Sequence, residues 1–244
     1  MSVPKYRLDA IETIGRKILQ EYDPALLDGP PQAVPIETII ETKFDLTLEY
    51  HCLRKNGSIL GETIFDEGAA ILYDQDEKRY RLIAVKAGTI LVEERLCVDR
   101  LLGRLRFTCA HELGHWVLHQ KLYFGTGDVA AYEGKTSLDE SYGLVEWQAD
   151  ALATALLMPL PQIKRSFYRL RAGRSHEHLV AEMARIFQVS KQAMRIRLET
   201  RNLISVWYGK APPPERGAQP LRCSQALLYA FCSQLSEQGR RRMA

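Results

Sequence analysis

Apolar and polar residues alternate along this chain with two different periods. Residues 6–22 place apolar side chains at helical spacing among charged ones, which predicts an amino-terminal helix. The sequence Asp28-Gly29-Pro30-Pro31 interrupts regular structure, and a short helix is expected after Pro35. Two further stretches, residues 106–115 and 145–158, also have the helical period.

Short strands are predicted between these helical stretches. They fall near residues 46–50 and 59–65, joined around Asn56-Gly57, with more strands through Val92. Because the strands come first and the long helices follow, the order indicates an α+β fold rather than an alternating parallel α/β fold.

The helical stretch before residue 116 contains an HExxH motif that begins at His111 and ends at His115. Residues four apart lie on one face of a helix, so the two imidazoles can converge on one metal ion. Glu112 is placed to accept a proton from a water molecule that attacks a carbonyl carbon. The alternative is a chance pattern, with both histidines simply occupying a helix face.

A third ligand is expected on the next helical stretch, where Glu146 lies 31 residues after His115. Asp150 shares its helix face and can accept a hydrogen bond from the far ring nitrogen of a ligating histidine. Zinc suits this ligand set, although manganese is not excluded. Rival carboxylates for the third position are Glu133, Asp139 and Glu140.

Other polar residues near the motif have weaker claims to a role. His119 continues the four-residue spacing but lies about 12 Å along the helix axis from His111, so a packed or hydrogen-bonded histidine is expected there. The donor that would stabilise an oxyanion is left open among four candidates: Tyr132, Tyr142, His176 and His178.

Two segments together resemble the ImmA/IrrE-type metallopeptidases, which belong with the thermolysin-like zincins. They are the motif through His119 and the segment 146–150 that runs into Leu156-Leu157-Met158-Pro159. The resemblance extends over roughly residues 34–204. It implies one zinc ion per chain, with Glu112 as general base and three zinc ligands: His111, His115 and Glu146.

The same resemblance implies a fold and a substrate class. The expected fold is a zincin-like core, a small sheet plus active-site helices, followed by a helix-turn-helix-like region. The expected substrate is a protein, typically a helix-turn-helix repressor whose cleavage releases a stress or mobile-element programme. The chain departs from the family in the long stretch 77–104, where we expect an inserted hairpin.

Composition is that of an ordinary globular protein, with 244 residues of which 46% are hydrophobic. No segment is apolar and long enough for a membrane span or a signal peptide. The five cysteines are scattered, without CxxC spacing, which favours a reducing compartment. We therefore expect a cytoplasmic protein without a membrane anchor.

Basic residues are concentrated at one end, since residues 160–244 contain 16 Lys and Arg against 5 Asp and Glu. Within this part, residues 178–195 resemble a helix-turn-helix, with Val189 in the turn and Ser190 as cap. Two helices of this kind can bind DNA, or they can support the catalytic part by packing against it, as the resemblance to the ImmA/IrrE-type metallopeptidases implies. On DNA, the contacting residues would be Lys191, Gln192 and Arg195.

The expected organisation has four segments. They are an amino-terminal helix and linker (1–30), the metallopeptidase core (31–160), the helix-turn-helix-like region (161–205), and a linker, helix and basic tail (206–244). Three functions remain open: a zinc endopeptidase, a zinc-stabilised protein that binds a repressor without cleaving it, and a DNA-binding regulator. DNA binding is the secondary possibility.

Overall fold

The structure, a computed structural model, describes residues 3–124 and 140–204. Its helices are α1 (Leu8–Tyr22), α2 (Ala25–Asp28), α3 (Ile36–Thr38), α4 (Leu102–Tyr123), α5 (Glu140–Leu157), α6 (Leu160–Leu170), α7 (His176–Phe187) and α8 (Lys191–Thr200). Its strands are β1 (Thr47–His51), β2 (Gly61–Ile64), β3 (Gly68–Asp74), β4 (Arg79–Val85) and β5 (Thr89–Glu93). The other helical segments are a π-helix at Ile39–Lys43 and two 3-10 helices at Glu94–Leu96 and Asp99–Leu101. The predicted α+β class is confirmed.

A three-stranded sheet has the order β1-β5-β2. Strand β5 pairs parallel to β1 and antiparallel to β2. The strands predicted on either side of Asn56-Gly57 are therefore both present, but they do not pair with each other. The reason lies in β5, whose residues are all buried, so that the most apolar strand takes the central position.

Strands β3 and β4 pair antiparallel as a hairpin, of which only β4 lies in the stretch where an inserted hairpin was predicted. It begins before the stretch 77–104 in which it was expected, and the rest of that stretch forms β5 and the turns that lead to α4. At the tip, Asp74 Oδ1 accepts hydrogen bonds from the backbone N–H groups of Asp76 and Glu77. Lys78 completes the turn in the left-handed region, at φ 52°.

Helices α4 and α5 pack closely against each other. A Cβ atom on Gly114 of α4 would lie only 2.9 Å from the backbone oxygen of Ala149 on α5. Helix α1 packs near the carboxyl end of α5, where Gly15 faces the Ala155 side chain. Small residues therefore let both neighbours approach α5 closely.

Two helices, α7 and α8, flank residue 190, while the helix-turn-helix character of this region stays a prediction. Gln188 ends α7 in the left-handed region, and Ser190 Oγ accepts a hydrogen bond from the Ala193 N–H at 3.0 Å. The turn lies against the start of α4, because a Cβ atom on Gly103 would lie 2.8 Å from the Ser190 nitrogen. The two helices are thus packed against the helix that carries the HExxH motif.

A buried ion pair ties α8 to α1. The guanidinium of Arg197, only 2% exposed, donates to the Glu12 carboxylate and also to the Met158 carbonyl oxygen, at 2.8 and 3.1 Å. Arg201 donates to the same carboxylate. Burial alone would raise the pKa of Glu12, but the hydrogen bonds and charges of the two arginines outweigh it and lower that pKa.

None of the helices in residues 3–124 and 140–204 is long and apolar enough to cross a membrane. The division into four segments stays a prediction, and the helix expected at 226–235 lies outside the described residues.

We expect Glu12→Gln to destabilise the protein by roughly 3 kcal/mol near pH 7, because it leaves the buried Arg197 charge without its carboxylate. Urea unfolding measures the difference. The folded-state pKa of Glu12 is lowered, so its contribution is complete above the ordinary value of 4.5 and is lost as the pH falls through the lower folded-state pKa. Wild type and variant should therefore converge in acid.

The control is Glu182→Gln, which removes a carboxylate from the solvent-exposed pair with Arg185 on α7. Water and salt screen that pair, so the variant should unfold like the wild type. An equal loss of stability in both variants would contradict the special role of the buried pair.

Candidate metal centre

Two imidazoles and one carboxylate converge between α4 and α5. The Nε2 atoms of His111 and His115 lie 2.9 Å apart. Glu146 faces both, with Oε2 3.4 Å from His111 Nε2 and Oε1 3.3 Å from His115 Nε2. The three side chains form a group whose ligand atoms all lie within 4.8 Å of one another, so they could hold a metal ion.

The donor set fits zinc. A tetrahedral zinc ion with bonds of about 2.0–2.1 Å to nitrogen keeps its ligand atoms roughly 3.3 Å apart, close to the separations seen here. All three side chains are largely shielded from water, at 6–14% exposure. Two facing ring nitrogens beside a carboxylate need a proton or a metal cation between them.

Asp150 lies one helical turn beyond Glu146 on α5 and is fully buried. Its Oδ1 atom lies 2.8 Å from His111 Nδ1. Because a carboxylate can only accept, His111 carries a proton on Nδ1, which leaves Nε2 as the nitrogen that would bind a metal ion. Asp150 therefore lies where the sequence predicts a supporting carboxylate, and its role in metal binding stays a prediction.

The pKa values of His111 and Glu146 are both shifted toward the charged forms of these side chains. Burial alone would lower the pKa of His111, but its hydrogen bonds to Asp150 and Glu146 outweigh burial and raise that pKa well above its usual range. Burial would raise the pKa of Glu146, yet hydrogen bonds to His111 and His115 lower it far below its usual range. Glu146 thus stays anionic beside the imidazoles.

Glu112 points toward the sheet and is only 6% exposed. Thr63 of β2 has its Oγ1 2.7 Å from Glu112 Oε2 and 3.0 Å from the Glu112 carbonyl oxygen, and its hydroxyl proton can be donated to either. Gly61 of the same strand has no side chain to obstruct the carboxylate, since a Cβ atom there would lie 2.5 Å from Glu112 Oε1.

His119 is a buried, hydrogen-bonded histidine, as predicted, and does not belong to the three-residue group. Its Nε2 lies 3.0 Å from Gln148 Oε1 and its Nδ1 lies 3.2 Å from His115 Nδ1. Burial, followed by the nearby His115, lowers the pKa of His119 to about 4. The ring is therefore neutral near pH 7.

Comparison with known families agrees with this geometry. The model of a peptidase family, the IrrE N-terminal-like domain, matches residues 76–199, which is half of the chain. The chain belongs to this family. The match includes α4 and α5 and confirms the resemblance to ImmA/IrrE-type proteins. No curated protein matches the chain.

Family membership points to a peptidase and hence to a protein substrate. The matched region is narrower than the resemblance over residues 34–204, because it leaves out β1, β2 and β3. Thr63 and Gly61 lie in this unmatched part. Their contacts with Glu112 are contributions to the site that the sequence analysis missed, and no local pattern signals them.

The remaining predicted residues lie elsewhere or outside the description. His176 and His178 are exposed at the start of α7, where His178 Nδ1 lies 3.2 Å from Ser175 Oγ. Lys191 and Gln192 are exposed on α8, and Arg195 is half-buried. The structure does not describe the side chains of five candidates: Tyr132, Glu133, Asp139, Glu140 and Tyr142.

We expect purified protein supplied with zinc to contain close to one zinc ion per chain. Glu146→Ala removes one of three ligands and should weaken zinc binding at least about 100-fold, whereas Glu112→Gln should keep the metal because Glu112 faces Thr63 instead. Elemental analysis and chelator competition measure both. Full zinc affinity in Glu146→Ala would show that another carboxylate is the third ligand.

Proposed function

We propose that the protein is a zinc-dependent endopeptidase with a zincin-like core that hydrolyses a peptide bond in a protein partner. The observation that carries the proposal is the convergence of His111, His115 and Glu146 within 4.8 Å, with Glu112 next in sequence to the first ligand. Membership of a peptidase family supports it.

The three ligands would hold zinc through two ring nitrogens and one carboxylate. Bound zinc supplies a Lewis acid that polarises the scissile carbonyl group and makes water more acidic. The protein contributes orientation, because the hydrogen bond between His111 Nδ1 and Asp150 directs the Nε2 lone pair to the site. The neighbouring Glu146 is anionic and completes the donor set.

Glu112 would act as the general base. Thr63 holds Glu112 Oε2, which leaves Oε1 on the side of Gly61 to accept the proton of the attacking water. The same carboxylic acid can then protonate the departing amine, so that the peptide bond breaks without a covalent intermediate. General base catalysis of this kind typically accounts for about 100-fold to 10,000-fold in rate.

The proposed substrate is a transcriptional repressor with a helix-turn-helix domain, as the resemblance to the ImmA/IrrE-type peptidases implies. The alternative is a zinc-stabilised regulator that binds a repressor or DNA without cleaving anything. Both share the same metal site, so they differ only in whether Glu112 removes a proton.

One observation keeps DNA contact open as a second candidate. Lys191 and Gln192 are exposed at the amino end of α8, where a recognition helix contacts bases and phosphates. Other contacts favour a buttress, because Arg197 of the same helix is buried against Glu12 and the preceding turn lies against Gly103. We therefore propose DNA binding only as a secondary property.

Glu112→Gln tests the peptidase proposal. The zinc-loaded protein is incubated with a defined peptide library, and cleavage products are identified by mass spectrometry. We expect Glu112→Gln to reduce hydrolysis at least about 100-fold while zinc remains bound, because a neutral amide cannot accept the proton.

Glu182→Gln is the matched control, since it removes an exposed carboxylate from α7 and should cleave like the wild type. Cleavage by Glu112→Gln at the wild-type rate would contradict the role of Glu112. Zinc-loaded wild type that binds a repressor but cleaves neither it nor the library would favour the non-hydrolytic alternative.

DNA binding makes a separate prediction. If α8 contacts phosphates, affinity for duplex DNA should fall steeply with salt, and Arg195→Ala should weaken it and reduce the salt slope by about one. Fluorescence anisotropy at several salt concentrations measures both. Binding that does not depend on salt or on Arg195 would eliminate this candidate.

A further inference from the structure

A chain of hydrogen bonds leads from the segment before α1 to the metal centre. Gln148 Nε2 donates to the backbone oxygen of Pro4 at 2.6 Å, and Gln148 Oε1 lies 3.0 Å from His119 Nε2. His119 Nδ1 in turn lies 3.2 Å from His115 Nδ1. Gln148 and His119 are both fully buried, so the contacts of His119 with Gln148 and His115 are shielded from water, and the contact with Pro4 is part-buried.

The acceptor at Pro4 determines the donor and the acceptor in each hydrogen bond of this series. A backbone oxygen only accepts, so the amide nitrogen of Gln148 faces Pro4 and its oxygen faces His119. That oxygen accepts, so His119 carries its proton on Nε2. A neutral imidazole has one ring proton, which leaves Nδ1 of His119 as an acceptor.

The last hydrogen bond reaches the proposed ligand. Because His119 Nδ1 accepts, the nitrogen that faces it, His115 Nδ1, must donate its proton. The other ring nitrogen, His115 Nε2, is then the one that would present its lone pair to a metal ion held beside Glu146 and His111. This is the tautomer that a metal ion bound at Nε2 requires.

We propose that His119 and Gln148 are positioning residues that hold His115 in its metal-binding tautomer, with the Pro4 carbonyl as the fixed end of the chain. The inference rests on the metal site proposed above. It gives the two histidine ligands different supports, because His111 donates to the carboxylate of Asp150 whereas His115 donates to a neutral ring. His115 is thus oriented without another buried negative charge.

The geometry also assigns a function to the segment before α1. Pro4 lies outside the matched peptidase region, yet its backbone oxygen determines which way the Gln148 amide points. Without that acceptor, the amide could turn over and present its nitrogen to His119, which would reverse the remaining hydrogen bonds. The amino-terminal segment would then influence metal affinity without touching the ligands.

Nitrogen NMR of the histidine rings tests the inference directly in the full chain near pH 7, because the shifts distinguish protonated from unprotonated ring nitrogens. The signal of His119 is assigned by its loss in His119→Phe. We expect His119 to be protonated on Nε2 and His115 on Nδ1, both before and after zinc is added. A His119 ring protonated on Nδ1 would overturn the proposal.

A matched pair of variants tests the consequence for metal binding. Gln148→Leu removes the acceptor for His119, and Gln162→Leu removes a comparable buried amide on α6, whose Nε2 donates to the Gly29 oxygen at 2.9 Å. Competition with a chromophoric chelator gives the zinc affinity. We expect about 10-fold weaker binding for Gln148→Leu and no change for Gln162→Leu.

Two results would overturn the proposal: wild-type zinc affinity in Gln148→Leu, or an equal loss in Gln162→Leu. In Gln148→Leu, the NMR signals should also show both tautomers of His119, which a purely structural role of Gln148 would not produce. If a variant fails to fold, the wild-type NMR measurement still decides. If the wild type binds no zinc, the proposed function fails while the tautomer measurement remains valid.

Discussion

The close approach of α4 and α5 is the constraint on which the rest of the site depends. Gly114 lies between the two proposed histidine ligands, and its missing side chain lets the backbone of α4 come against Ala149. Any side chain at this position would separate the helices. Because the imidazole and carboxylate side chains have fixed lengths, the distance between the helices at Gly114 determines whether Glu146 contacts both histidines.

Burial then dictates the polar arrangement. Removing ionisable groups from water is costly unless each meets a partner, and the space between α4 and α5 contains several such groups. Each has an acceptor or donor on the other helix: His111 with Asp150, His119 with Gln148, and Glu146 with both proposed ligands. The pairing across the two helices compensates the buried charge and orients the ligand atoms at once.

The extent of sequence prediction follows from the range of the contacts. The helix of the HExxH motif and the helix of Glu146 could be predicted, because the helical pattern of apolar residues is visible within a few positions of the sequence. Thr63 contacts Glu112 across 49 positions, and Gln148 contacts Pro4 across 144. Such contacts are set by tertiary packing, and no local pattern carries them.

The order of the sheet has the same explanation. The strand positions near β1 and β2 could be predicted from alternation and the Asn56-Gly57 turn, but which strand lies between them depends on the burial of β5. The choice of Glu146 over Glu133 could be argued from its helix and from Asp150. The structure adds the distances to both histidines, which sequence spacing cannot provide.

Helix α5 is held at two places, once directly by the amino-terminal segment and once by α8, which is itself paired with α1. Near its middle, Gln148 donates to the Pro4 oxygen, and just past its end the Met158 carbonyl accepts from Arg197, which is itself paired with Glu12. The Met158 carbonyl therefore has a side-chain hydrogen-bond donor just past the end of the helix. Residues before the matched peptidase region therefore help to fix the position of the helix that carries Glu146. The fold of the metal centre thus depends on contacts that extend well beyond residues 76–199.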